Sequence, residues 1–294
     1  MILRILLWVV CFLAFASPAF AELNVVATLP WIGSLASDIG GDKVKVTTLV
    51  KANRDPHEVV AKPSMILQAR RADILMFNGL ELEGGFLSIL VESSRNPKIQ
   101  PGIAGNFDCS RFVEVIDKPV IVDRSMGDVH PLGNPYYHLS PKNISKVVEG
   151  ITERLSRVDP PKADFYKMNL AAFQEKLREK QKQWSSYRLR GEKFLPYHKL
   201  FEYLAREFGF EIVGYLEPKP GIPPSAGHVE KIIEMTKRAK PKAILGTMYC
   251  EEEELRFLSQ KTMVKYIIVP HDVGATAACK DWFTLMDQAL AALE

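Results

Sequence analysis

Short runs rich in β-branched residues alternate with segments of helical spacing along this chain, and the alternation occurs twice, with one long polar segment between the two sets. In the first half the strand-like runs are Leu23 to Thr28, Val44 to Val50 and Ile74 to Phe77. Helical patterns separate them over Trp31 to Ile39, Ser64 to Arg71 and Leu82 to Ser93. In the second half Glu211 to Tyr215, Ala243 to Thr247 and Lys265 to Val269 are the strands, and His198 to Phe208, Gly227 to Arg238, Glu251 to Thr262 and Asp281 to Leu293 the helices. Each crossover lays a helix on its sheet, so the sheets are parallel and covered on both faces. Between the two sets, Asp164 to Leu189 contains no Gly or Pro and places Phe165, Met168, Ala172, Phe173 and Leu177 on one face. That spacing predicts one amphipathic helix of about seven turns, roughly 40 Å long. The expected fold is α/β: two parallel-sheet α/β lobes joined by one long rigid α-helix. The expected divisions are 1–21, a lobe over 22–158, the connector over 159–190, and a lobe over 191–294.

Composition agrees with a globular chain, at 47% hydrophobic and 25% charged over 294 residues. Lys plus Arg number 38 against 35 for Asp plus Glu, and without a basic run this gives no reason to expect nucleic acid. Met1 to Ala21 carry one charge, Arg4, then an apolar run from Ile5 to Ala16, then a small-x-small pattern at Ala19 and Ala21. A run of about 12 apolar residues is short for a bilayer span of roughly 20, so a signal peptide cleaved after Ala21 and a periplasmic chain are expected. Cleavage removes Cys11 and leaves Cys109, Cys250 and Cys279 in an oxidising compartment. Cys250 with Cys279 is the expected disulfide, with Cys109 free, and no C-x2-4-C spacing supports a zinc-thiolate site.

Ligands bind open α/β sheets beyond the carboxyl ends of the strands. His57, His130, His138, His198 and His271 with Asp272 stand in loops or at helix starts, whereas His228 falls within a helical pattern as a bystander. Singly, each is commonly a hydrogen-bonded surface or core histidine. Together, donors from both lobes facing one cleft describe a first-row metal site. His57-Glu58 begins like HExxH, but Ala61 stands where the second His belongs. No G-x-S-x-G and no Gly-rich phosphate loop follows a strand, and the acidic run Glu251 to Glu254 suits the start of a helix.

At these residues the chain resembles the periplasmic solute-binding components of ABC transporters for zinc and manganese, the cluster 9 or ZnuA/TroA-like proteins. The resemblance rests on Asp55-Pro56-His57 with Pro63-Ser64, on Gly133-Asn134-Pro135 ahead of Leu139-Ser140-Pro141, on Tyr197-His198 before Phe201-Glu202-Tyr203-Leu204, on Glu217 to Ser225, and on Val273-Gly274. It implies a metal held between two lobes by three His, or two His and a Glu, plus an Asp, with His57 the first ligand and His198 the third. At the second place Tyr136 stands where the family carries His, so His138 is the leading replacement, ahead of His130 and of Tyr136 itself. At the fourth place either His271 or Asp272 fits. Ser140, where the family commonly carries Asp, removes an acceptor that could orient a ligand His.

These readings lead to an exported, non-enzymatic receptor that captures Zn²⁺, with Mn²⁺ as the alternative metal, and delivers it to an ABC permease in the inner membrane. A monomer is expected, with no nucleic-acid partner. The alternatives are a degenerate member with altered or lost metal binding and a sensing or interaction role, and a metal-dependent hydrolase using Glu58 or Glu217 as general base.

Overall fold

The computed structural model describes residues 22–119, 130–219, 222, 224–250 and 252–294. The expected signal peptide, with Cys11, lies outside the described residues, as do Pro220, Gly221 and Pro223 of the Glu217 to Ser225 motif and Glu251 of the acidic run.

Two parallel four-stranded sheets are present, and they repeat one topology. The first has the order β2-β1-β3-β4, built from β1 (Leu23–Ala27), β2 (Val44–Thr48), β3 (Ile74–Phe77) and β4 (Asn106–Asp108). The second has the order β6-β5-β7-β8, from β5 (Lys193–Pro196), β6 (Glu211–Ile212), β7 (Ala243–Gly246) and β8 (Tyr266–Ile268). In each, the first strand in sequence lies inside the sheet and the chain leaves it first to one side and then to the other. That places a crevice beyond the carboxyl ends of β1 and β3 in one lobe and of β5 and β7 in the other.

Among the described residues the helices are α1 (Pro30–Gly40), α2 (Pro63–Arg71), α3 (Leu87–Ser94), α4 (Pro141–Val158), α5 (Ala163–Trp184), α6 (Glu202–Phe208), α7 (Ala226–Ala239), α8 (Glu252–Thr262) and α9 (Trp282–Leu293). Proline opens α1, α2 and α4, where its fixed φ suits the first turn and its missing N–H removes no helical bond. Ser140 is the N-cap of α4, accepting from the Asn143 N–H at 3.1 Å while its hydroxyl donates to Glu207. Two elements lack a strong periodic signal: β5, a central strand that ends on Pro196, and β4, only three residues long. The helix expected from His198 begins instead at Glu202, leaving His198 in the loop that follows β5.

The connector α5 is 22 residues long, about 33 Å, shorter than the spacing predicts. It stops at Trp184 because the next two residues are serines whose hydroxyls turn back onto the Lys182 and Gln183 carbonyls. Its Asn169 donates to the Ile39 carbonyl of α1, and its Lys180 and Trp184 bond Asp287 of α9. The apolar core is continuous across both halves of the chain: Trp31 and Leu35 of α1, Phe173 and Trp184 of α5, and Trp282 and Phe283 of α9 belong to one buried cluster. A smaller cluster around Leu195, Ile244 and Leu258 fills the second lobe.

The expected Cys250–Cys279 disulfide is absent; both are free thiols, as is Cys109. Cys250 accepts from the Thr247 N–H at 3.3 Å, and Cys279 pairs with the Thr276 hydroxyl at 3.2 Å, so each sulfur is held within its own turn. No helix among the described residues is long and apolar enough to cross a membrane.

Candidate metal centre

The loops beyond the carboxyl ends of both sheets bring three imidazoles together. His57 sits on a single 3-10 turn, Pro56–Glu58, whose N-cap Asp55 accepts from the His57 backbone N–H at 2.9 Å. The same Asp55 oxygen lies 2.7 Å from His57 Nδ1. Burial works to raise the Asp55 pKa, but the bonds from His57 outweigh it and hold the carboxyl below its ordinary value. An ionised Asp55 fixes the His57 tautomer: Nδ1 carries the proton, and Nε2 presents its lone pair to the cleft.

His130 is fixed in the same way by a different partner. Its Nδ1 donates to the Leu80 carbonyl at 3.1 Å. That carbonyl belongs to a tight turn after β3, where Gly79, Leu80 and Glu81 have φ of 82°, 54° and 64°. Gly79 is required there, since a Cβ would meet Asp108 Oδ1 at 2.2 Å. The turn is anchored from inside by Glu83, which is 1% exposed and accepts from Thr28 Oγ1 at 2.6 Å, Asn78 N at 2.7 Å and Gly79 N at 3.1 Å. Burial raises the Glu83 pKa to about 7, with these donors pulling it down.

With both Nδ1 atoms donating, the Nε2 atoms of His57 and His130 face each other at 3.0 Å. Two lone pairs at that distance repel unless a cation or a proton lies between them. Burial is the main cause that lowers the His130 pKa to about 4, which disfavours a proton on that ring. Two nitrogens on one tetrahedral Zn²⁺, each about 2.05 Å from it, stand roughly 3.3 Å apart, close to the observed separation.

His198 supplies the third imidazole from the second lobe, with its ring centroid 6.2 Å from that of His57. Its Nδ1 is held by Glu217 Oε2 at 2.5 Å, so its Nε2 also points into the cleft, where the Tyr136 hydroxyl lies 2.9 Å away. Burial raises the Tyr136 pKa well above its ordinary value, so the phenol is neutral and donates to that nitrogen. Among the described residues no three His, Cys, Asp or Glu side chains are gathered into one ligand set; at His198 the Tyr136 hydroxyl faces Nε2.

Of the other three expected ligands, His138 and Asp272 bond atoms outside this cluster, whereas His271 Nδ1 is buried without a hydrogen-bond partner among the described residues. His138 is 4% exposed, stacked on Trp31 with centroids 5.6 Å apart, and its Nε2 lies 2.7 Å from the His271 carbonyl. The ring of His271 is 6% exposed and meets Tyr249 edge-on at 4.7 Å. Asp272 Oδ1 accepts from Trp31 N at 2.8 Å and from Val273 N at 2.7 Å. Since α1 has no capping side chain of its own, Asp272 caps it from the opposite lobe. His228, the bystander of the sequence reading, has its Nε2 3.4 Å from the Tyr215 carbonyl.

Of the two bases a hydrolase could use, Glu217 is bound to His198 and Glu58 is solvent-exposed. The histidine that the structure places against His57 is His130, with the two Nε2 atoms 3.0 Å apart. Its signal is the short distance in sequence to Asn134-Pro135, on which it ranks below His138 and above Tyr136.

Comparison with known proteins agrees with this architecture. The family model described as zinc-uptake complex component A, periplasmic, matches residues 25–294. The metal ABC transporter substrate-binding lipoprotein ScbA of Streptococcus cristatus is 24% identical over 83% of this chain and 78% of its own length. The iron-binding protein YfeA of Yersinia pestis is 25% identical over 83% of this chain and 76% of its own. The zinc-binding lipoprotein AdcA of Streptococcus pneumoniae is 25% identical over 94% of this chain, which spans 56% of that longer protein. A crystal structure of ZnuA superposes with a TM-score of 0.77 at 22% identity, covering 92% of this chain and 97% of that one.

Proposed function

The chain belongs to the periplasmic zinc-uptake complex component A family, and from that premise we propose that it is an exported receptor that captures Zn²⁺ between its lobes and passes it to an ABC permease in the inner membrane. The ligands in this reading are His57, His130 and His198. His130 takes the second place in preference to His138, and Asp272 caps α1 from the opposite lobe instead of binding the ion. The observation that carries it is the 3.0 Å approach of two Nε2 atoms whose Nδ1 partners are both acceptors. Neutral imidazoles suit Zn²⁺ over Mn²⁺, which favours oxygen ligands. Asp55 and Glu217 raise the basicity of their imidazoles and hold them in place without joining the ion.

Competition titration with Zn²⁺ and Mn²⁺ tests the assignment. Zn²⁺ should bind more tightly than Mn²⁺, and His57→Ala and His130→Ala should each lose on the order of 100-fold in Zn²⁺ affinity. A loss in His138→Ala as large as that in His130→Ala refutes the ligand set.

A further inference from the structure

Among the described residues of the cleft, Tyr136 makes a hydrogen bond that opposes capture. Its hydroxyl donates to His198 Nε2 at 2.9 Å, and that lone pair is the one a cation must take from the second lobe. The arrangement is well supported on every side. The Tyr136 backbone N–H is fixed by Asn134 Oδ1 at 2.9 Å, its ring is 4% exposed, and it stands edge-on to His198 with centroids 5.5 Å apart. His198 cannot turn its other nitrogen inward without losing Glu217 at 2.5 Å. His57 and His130, in contrast, already converge within the first lobe.

We propose that Tyr136 is an affinity-setting residue: its phenol competes with the cation for His198, so the ion is first held by the two imidazoles of one lobe and gains the third only by displacing this hydrogen bond. This inference rests on the ligand reading above and adds to it an internal competitor. The exchange moves no proton between groups. The phenol keeps its hydrogen, the imidazole lone pair passes from the O–H to the metal, and the hydrogen bond re-forms when the ion leaves. A receptor built this way holds its cargo less tightly than its three imidazoles allow and releases it with a group ready to refill the third position.

The test is a Zn²⁺ titration against a competing chelator for the parent, Tyr136→Phe, His198→Ala and the double variant. Phenylalanine keeps the ring and removes only the competing hydroxyl, so Tyr136→Phe should bind Zn²⁺ roughly 3- to 10-fold more tightly, the worth of one hydrogen bond. The gain should vanish in the His198→Ala background, because nothing remains to compete for; a general packing effect would persist there. Equal or weaker binding by Tyr136→Phe, or the same gain without His198, overturns the proposal. Nitrogen NMR of the parent imidazoles gives a second readout that needs no variant: His198 Nε2 should lose its hydrogen-bonded shift on Zn²⁺ saturation, and retention of that shift overturns the proposal. If the parent binds no Zn²⁺ but Tyr136→Phe does, the competition holds at its limit; if neither binds, the ligand reading fails and this inference with it.

Discussion

Replacing Asp272 separates the two roles open to it, interlobe cap and metal ligand. Its Oδ1 alone accepts both the Trp31 and Val273 N–H groups, and the side chain is fully buried. Asp272→Ala removes both bonds and leaves the Trp31 N–H, at the first turn of α1, without an acceptor in a residue that is 0% exposed. Two net hydrogen bonds at about 1 kcal/mol each, with the cost of an orphaned buried donor, come to about 2–4 kcal/mol. That is roughly 5–10 °C in melting temperature for a chain of this size. Asp272→Asn keeps the oxygen and both bonds.

Burial raises the Asp272 pKa to about 8, against the pull of the Val273 and Trp31 N–H groups. Between its unfolded value near 4 and about 8, the folded state therefore holds the extra proton. The parent's stability from this group is full at low pH and is lost as the pH rises through 8. The Asn variant has no such loss and should equal or exceed the parent, with the margin widening from neutral pH to pH 9. Circular-dichroism melts in chelator, which removes stabilisation by bound metal, measure this directly. The reasoning fails if Ala melts within 2 °C of the parent, or if Asn is as damaging as Ala; a loss of Zn²⁺ affinity in Asn on the scale of His130→Ala would return Asp272 to the ligand set.

Other consequences can be measured on the metal-free chain or by titration. Burial lowers the pKa of His130 and His138 to about 4 and of His271 to about 3. These groups stabilise the fold above the unfolded histidine value near 6.5, and that stability is lost as the pH falls, so urea midpoints should drop from pH 6.5 towards 4 with an uptake approaching three protons on unfolding; a flat profile contradicts this. Reductant should leave the melting temperature unchanged, and alkylation of the unfolded, unreduced chain should label both Cys250 and Cys279, whereas a protected pair would restore the disulfide. Glu83→Gln places an amide against the Gly79 N–H that now donates to the carboxylate at 3.1 Å. The turn carrying the Leu80 carbonyl should loosen and Zn²⁺ affinity fall by about 10-fold; an unchanged affinity would show that His130 does not depend on this turn.

Much of the fold was legible because it is written in local periodicity. β3 matches its apolar run residue for residue, and α1, α2, α7, α8 and α9 fall within two residues of their patterns. Elements that borrow their stability from elsewhere were not legible. Lys193–Pro196 offers only two apolar side chains before a proline, yet it pairs on both sides, with β6 and β7. In the site, His57 stands out because it follows a strand and sits beside proline, and His198 because it comes after Leu-Pro-Tyr at an expected helix start. The choice of His130 depends on a carbonyl 50 residues away, and the role of Asp272 on a helix start 241 residues away. Histidine spacing carries no trace of either, since one is set by the turn after β3 within the first lobe and the other by the way the lobes meet.

The junction of α1 with the loop that carries Asp272 also bears on the order in which the molecule can form. The acceptor of the Trp31 N–H lies 241 residues further along the chain, and the indole that donates to the His138 carbonyl lies 144 residues beyond His138, so neither bond can close before the second lobe has been synthesised. Vectorial synthesis thus delivers the loops that carry His57 and His130 before the contacts that fix α1 beside them.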